Sequence, residues 1–225
     1  KEAVLQVLPE SKLSLQRLEV LMHKAAPPVV TVLGKYNHGK SRLLNELLGT
    51  VLFSVADKRE TICLQRVEHD GVAWLDAPGL DADVQKADDA HAEQALWVES
   101  DIRLVVHAIQ EGELDARELA LVTELQQDQS HTQRQFFFVL TQTDQLADES
   151  ALAEVLDGLR QQLPQTDMYP VSSVRYRKGM DYHIPLFIEK SGIPDLQARL
   201  DQALQQVGTA RINEQAQRLQ HLQSQ

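Results

Sequence analysis

Cysteine is almost absent from this chain: its 225 residues hold one, Cys63. A single thiol excludes an internal disulfide and any zinc cage built on cysteines. Its place in the apolar run TICLQRV suits a small buried side chain better than a reactive one. No apolar stretch approaches the ~20 residues needed to cross a bilayer. The amino end, KEAVLQVLPE, has neither the charged start nor the apolar stretch of a secretory signal, so a cytoplasmic protein is expected, with association with a membrane surface left open. Basic residues are outnumbered by acidic ones, 22 to 33, for a formal charge of −11. Such a surface repels nucleic acid and anionic lipid except at a local basic patch, so a nucleic-acid partner is not expected. Lys1 in place of a methionine and the glutamine-rich end RINEQAQRLQHLQSQ suggest a piece of a longer protein.

What is present is an ordinary globular composition, 43% hydrophobic and 24% charged, enough for one substantial core. Residues 1–28 read as a helical segment, with Ser11 as cap and Leu13, Leu15, Leu18, Leu21 and Met22 near one face, ending before Pro27 and Pro28. Residues 29–205 read as the main domain and 206–225 as a helical extension. Within the main domain VVTVL is a strand, SRLLNELLG a helix closed by Gly49, and TICLQRVE with GVAWLD a hairpin turning at His69, Asp70 and Gly71. Residues 88–99 look helical, IRLVVHAI is a strand, 113–129 is amphipathic, QFFFVLT is a strand, 150–162 a helix, MYPVSS a short strand and IPDLQARLDQALQQV a helix. This alternation predicts an α/β three-layer sandwich: a six-stranded, mostly parallel sheet with helices on both faces and ligands bound at the carboxyl ends of the strands.

The stretch GKYNHGKS, Gly34 to Ser41, fits G-x-x-x-x-G-K-[ST] and lies between a strand and a helix, the setting that motif needs. Loop amides and the positive end of the following helix would cradle phosphate oxygens. Lys40 would reach the β- and γ-phosphates and Ser41 would ligate Mg²⁺. DAPG follows the third strand, placing the Asp76 carboxylate where it can hold Mg²⁺ and Gly79 where its amide can meet the γ-phosphate. At the end of QFFFVLT stands TQTD, whose Asp144 can accept from N1-H and the 2-amino group of guanine, which adenine cannot supply. Ser172 and Ser173 follow MYPV, with backbone amides expected near the guanine O6. An ATPase on the same loop would require TQTD to be coincidence.

In order, GKYNHGKS, DAPGL, TQTD and VSS resemble the guanine-nucleotide motifs of the translation-factor-related P-loop GTPases, over about residues 29–205. SRLLNELLG and DAPGL are most similar to the Era/TrmE-like and bacterial dynamin-like branches. The resemblance implies a GTPase domain that binds GTP or GDP with Mg²⁺ and hydrolyses GTP as a molecular switch. Its catalytic set would be Asn37, Lys40, Thr61 and Gly79, and its metal set Ser41, Thr61 and Asp76. The nucleotide would lie on Gly34, Asn37, His38, Gly39, Lys40, Ser41, Arg42, Thr141, Gln142, Asp144, Ser172 and Ser173. In that branch an asparagine at the place of Asn37 helps hold K⁺ against the phosphates; the alternative is that Asn37 tolerates an unusual backbone conformation. Tyr36 would crowd an arginine delivered in trans, and His38 is expected to face outward as a loop side chain.

Two departures from the pattern bear on rate and affinity. Gln142 replaces the lysine whose stem covers the base, which predicts weaker stacking. Leu80 stands where Ras-like enzymes carry a water-orienting glutamine, which predicts slow hydrolysis without a cation, a dimer or a partner. The alternative reading is a nucleotide-dependent scaffold with little or no hydrolysis. DADVQKADDAHAEQA reads as a solvated segment leading into a helix. VRYRKGMDYHIPLFIEKSG, residues 174–192, reads as a long loop. A protein partner or a second copy would be met through it, through the switches or through the terminal helices.

Overall fold

The computed structural model describes residues 12–23, 26–53, 64–77 and 94–224. Ser11, Thr61, Cys63, Gly79, Leu80 and the acidic segment that follows lie outside the described residues. The strands are β1 Val29–Leu33, β2 Gln65–His69, β3 Val72–Asp76, β4 Ile102–Ala108, β5 Gln135–Thr141 and β6 Met168–Pro170. They form one sheet in the order β2-β3-β1-β4-β5-β6, in which only β2 runs antiparallel to its neighbour. β1 is buried at every position, as its unbroken apolar run requires of a central parallel strand. The β2–β3 hairpin turns on Asp70 and Gly71 with φ of 49° and 74°, the paired left-handed conformation that Asp-Gly favours.

The helices are α1 Lys12–Met22, α2 Lys40–Leu48, α3 Ala116–Thr132, α4 Glu149–Gln162, α5 Ser173–Asp181, α6 Pro185–Glu189 and α7 Ile193–Ser224. Alternation along β4 and β5 sorts the core into two layers. Ile102, Leu104, Val106, Phe137 and Val139 pack with Leu43, Leu44, Leu196 and Leu200 of α2 and α7. Val105, Phe138 and Leu140 pack with Val122, Leu125 and Leu159 of α3 and α4. On that second face β4 also carries Arg103 and His107, both buried. Glu118 and Asp128 of α3 meet them: His107 Nδ1 lies 3.0 Å from Glu118 Oε1, and Arg103 Nη1 donates to Asp128 Oδ2 at 2.6 Å. Among the described residues no helix is long and apolar enough to cross a membrane.

Several sequence expectations need correction. Of the helical stretch expected over 88–99, the described residues 94–99 form a π-helical rather than an α-helical turn. α3 starts at Ala116, not 113, because Asp115 and Glu118 close a capping box. Residues 174–192 are not a loop: Ser172 caps α5, and α6 folds back so tightly that a Cβ on Gly179 would lie 2.7 Å from Ile188 Cγ1. α7 runs unbroken across 205/206. On α1 the inward face is Arg17, Leu18 and Leu21, while Leu13 and Met22 are exposed. Arg17 is drawn in by ion pairs to Asp101 at 3.0 Å and Glu214 at 2.9 Å, and by the carbonyls of Val98 and Glu99. Asp101 in turn accepts from Arg211 and from the Val29 amide, so α1, α7 and the amino edge of the sheet share one buried network.

Candidate nucleotide site

The site forms where β1, β3 and β5 end. Gly34, at φ 151°, passes so close to β4 that a Cβ there would lie 2.2 Å from the Val106 carbonyl oxygen, so only glycine fits. Gly39, at φ 83°, caps α2 and turns the first amides of that helix toward the loop. Asn37 sits at φ 60°, the left-handed conformation that its side chain tolerates. Lys40 Nζ donates to the Gly34 and Lys35 carbonyls at 2.8 Å each, lying along the loop. Lys35 anchors the loop to α3 through Asp115 at 2.9 Å and Glu118 at 2.8 Å.

Ser41 Oγ donates to Asp76 Oδ2 at 2.6 Å. Asp76 is fully buried, and its Oδ1 meets no hydrogen-bond donor among the described residues. Burial pushes its carboxyl above the ordinary range, against the opposing pull of the Ser41 hydrogen bond and the Lys40 charge. A hydroxyl beside a buried carboxylate with a spare oxygen is the hard donor set that fits Mg²⁺. Thr61, the third expected ligand, and Gly79 lie outside the described residues.

At the other end, Thr141 Oγ1 donates to the His38 carbonyl at 2.6 Å, and Gln142 Nε2 donates to the Asn37 carbonyl at 2.6 Å. Gln142, at φ 64°, therefore reaches the phosphate loop with its side-chain amide. Asp144 Oδ1 accepts from Ser172 Oγ at 2.5 Å, while the same hydroxyl accepts from the Arg175 amide at 3.0 Å. The Ser172 amide itself donates to the Ser191 carbonyl at 2.8 Å, contrary to the expected approach to a base; Ser173, the first residue of α5, heads that helix instead. Arg42 is exposed on α2.

His38 does not face outward. It is buried, with Nδ1 3.2 Å from the Val106 carbonyl and its ring edge-on to His107. The loop backbone runs so close to β4 at Gly34 that this side chain turns under it. Asn45 was missed: its side chain accepts from the Leu52 and Phe53 amides at 2.9 Å and donates to the Phe53 carbonyl at 2.8 Å, fixing the turn that follows α2. A lone amide on the apolar face of LLNELL was the signal for it. The same signal, a histidine inside LVVHAI, pointed to His107.

The profile of the 50S ribosome-binding GTPase family matches residues 29–142. An uncharacterised protein of Acinetobacter baylyi is 53% identical over 213 residues, covering 95% of this chain and 51% of the relative. Two solved structures share the fold. A structure of an oligomerised bacterial dynamin pair aligns with a TM-score of 0.63 at 14% identity, over 99% of this chain and 46% of that one. The structure of Era in complex with MgGDPNP and nucleotides 1506-1542 of 16S ribosomal RNA aligns with a TM-score of 0.54 at 22% identity, over 71% of this chain and 56% of that one. The chain spans about half the length of the curated relatives it matches.

Proposed function

The chain belongs to the 50S ribosome-binding GTPase family, and from that premise we propose that it binds GTP with Mg²⁺ and hydrolyses it to GDP and phosphate as a two-state switch. The observation that carries this reading is the pairing of Ser41 with a fully buried Asp76 at the head of α2, opposite the lysine-bearing loop. Asp144, oriented by Ser172 at the far end of the site, adds the guanine-selecting acceptor.

Hydrolysis of the γ-phosphate by water leaves little covalent work to the protein, so positioning and charge dominate. Lys40 would exchange its two carbonyl contacts for phosphate oxygens, where its hydrogen bonds become charge-assisted. The amides at the start of α2 hold the phosphates in line. Ser41 and Asp76, with Thr61, would hold Mg²⁺, which when bound neutralises charge on the phosphate oxygens. Thr61 and Gly79 would sense the γ-phosphate and release both switches when it leaves. Asn37 would help hold K⁺, and a second copy or a protein partner would act through the switches, residues 174–192 or the terminal helices, raising a slow intrinsic rate. The expected absence of a nucleic-acid partner is not carried forward, because the Era structure of the same fold is an RNA complex.

The test is GTP turnover by the purified chain with Mg²⁺, in potassium and then in sodium buffer, over a range of protein concentrations. Faster turnover in potassium supports the role of Asn37, and turnover per molecule that rises with concentration supports a catalytic dimer. GTP binding without turnover under any condition rejects hydrolysis by this chain alone.

A further inference from the structure

Under the phosphate loop, on the face of the sheet covered by α3, three side chains converge: His38 from the loop, His107 from β4 and Glu118 from α3, exposed by 2%, 0% and 4%. One donor atom of each lies within 4.8 Å of the other two. The outer side of every one is already held. His38 Nδ1 faces the Val106 carbonyl at 3.2 Å, and His107 Nε2 faces the Gly112 carbonyl at 3.2 Å. Glu118 Oε2 accepts from the Asp115 amide at 3.3 Å and pairs with Lys35 Nζ at 2.8 Å.

These contacts turn His38 Nε2, His107 Nδ1 and Glu118 Oε1 inward, where the last two meet only each other among the described residues. His107 Nδ1 and Glu118 Oε1 are 3.0 Å apart, and the two rings stand at 88° with centroids 5.3 Å apart. The buried His38 Nε2 meets no hydrogen-bond partner among the described residues, a cost that a native interior normally avoids. Imidazoles whose far nitrogen is fixed by a carbonyl, beside a carboxylate anchored at its far oxygen, are oriented as metal ligands are. Charge agrees: among the described residues, Lys35 is the one lysine or arginine side chain paired with Glu111, Asp115 and Glu118, so the carboxylates outnumber it.

We propose that His38, His107 and Glu118 bind a divalent transition ion of the Zn²⁺ class, with Glu111 completing the shell, at a site separate from that of Ser41 and Asp76. Two imidazole nitrogens and carboxylate oxygens favour zinc or cobalt over magnesium. Glu111 Oε1 stands 3.7 Å from His38 Nε2, on the more exposed side of the cluster, and gives the ion a way in. Because the His38 carbonyl accepts from Thr141, an ion here fastens the phosphate loop to β4, α3 and the end of β5 together.

The test is titration of the whole chain with Co²⁺ in excess Mg²⁺, with and without GDP, followed by visible absorption. One saturable equivalent with the intense bands of four-coordinate Co²⁺, displaced by Zn²⁺ and lost in Glu118→Gln, is expected. Glutamine preserves the capping box, so that variant is expected to fold. X-ray absorption at the zinc edge of the unaltered chain should count two imidazoles and does not depend on any variant. Absence of a saturable equivalent, bands unchanged in Glu118→Gln, or fewer than two imidazoles overturns the site. The titration without GDP keeps its outcome independent of nucleotide binding.

Discussion

Thr141 donates its hydroxyl hydrogen to the carbonyl of His38 at 2.6 Å, joining the end of β5, where TQTD is proposed to read the base, to the loop proposed to hold the phosphates. Gln142 makes the neighbouring link to Asn37 at the same length. The two halves of the candidate nucleotide site are thus braced against each other directly, through one buried side chain and one half-buried one.

Cutting either brace should weaken nucleotide binding. A net hydrogen bond contributes about 0.5–1.5 kcal/mol, so Gln142→Ala and Thr141→Val should each bind a fluorescent GDP analogue about two- to tenfold more weakly. Gln142→Lys can reach the same carbonyl and cover the base with its stem, so it should bind more tightly than the unaltered chain. Equal affinities across the series would deny the brace any energetic role.

Selection of guanine should rest on the Asp144 carboxylate. In Asp144→Asn one acceptor becomes a donor, which no longer matches the N1-H and 2-amino pair of guanine but matches a carbonyl at that ring position. GDP affinity is expected to fall by two or more orders of magnitude, and xanthosine diphosphate should become the better competitor. Ser172→Ala removes the hydrogen bond that orients this carboxylate and should give a smaller loss with guanine still preferred. Unaltered GDP binding by Asp144→Asn would place the base elsewhere.

Much of this site could be read from the order of motifs along the chain, because phosphate loops, strand-end aspartates and helix starts are local in sequence. Gly34, Lys40, Ser41, Asp76 and Asp144 stand where the alternating strands and helices put them. What escaped the sequence was long-range pairing of polar groups inside the core. Arg17 stands between Leu15 and Leu18, and its burial depends on Asp101 and Glu214, 84 and 197 residues away. His38 looked solvated until β4 supplied the Val106 carbonyl and the His107 ring beneath it. The helices of 174–192 were obscured because their apolar residues, Met180, Tyr182, Leu186 and Phe187, stay exposed and give no inward periodicity.

The pairing of Arg17 with Glu214 should dominate the attachment of α1 to α7. Glu214 is fully buried and also meets Arg218 at 2.8 Å and Arg134 at 3.4 Å. Glu214→Gln leaves buried guanidinium groups short of a counter-charge, and breaking such a pair costs roughly 3–5 kcal/mol. The thermal midpoint should drop by roughly 10 °C, at about 2–4 °C per kcal/mol for a chain of this size. The double variant Arg17→Met with Glu214→Leu should be less destabilised than the two single losses added together. Strict additivity would show that the two side chains act independently.

The same network sets the response to acid. Burial alone would raise the Asp101 carboxyl, but the Arg211 hydrogen bond and the Arg17 and Arg211 charges outweigh it and hold the group below its ordinary 3.8. Asp128 is lowered likewise, its burial outweighed by Arg134 and Arg103. A carboxyl depressed in the folded state stabilises fully above its unfolded value and loses that contribution as pH falls through the folded one. Urea unfolding should therefore show the stabilisation by Asp101 complete at neutral pH and declining only below about pH 4. Asp101→Asn should be clearly less stable than the unaltered chain at pH 7, and the gap should narrow between pH 4 and pH 2. A gap independent of pH would mean that Asp101 acts by shape and hydrogen bonding rather than by charge.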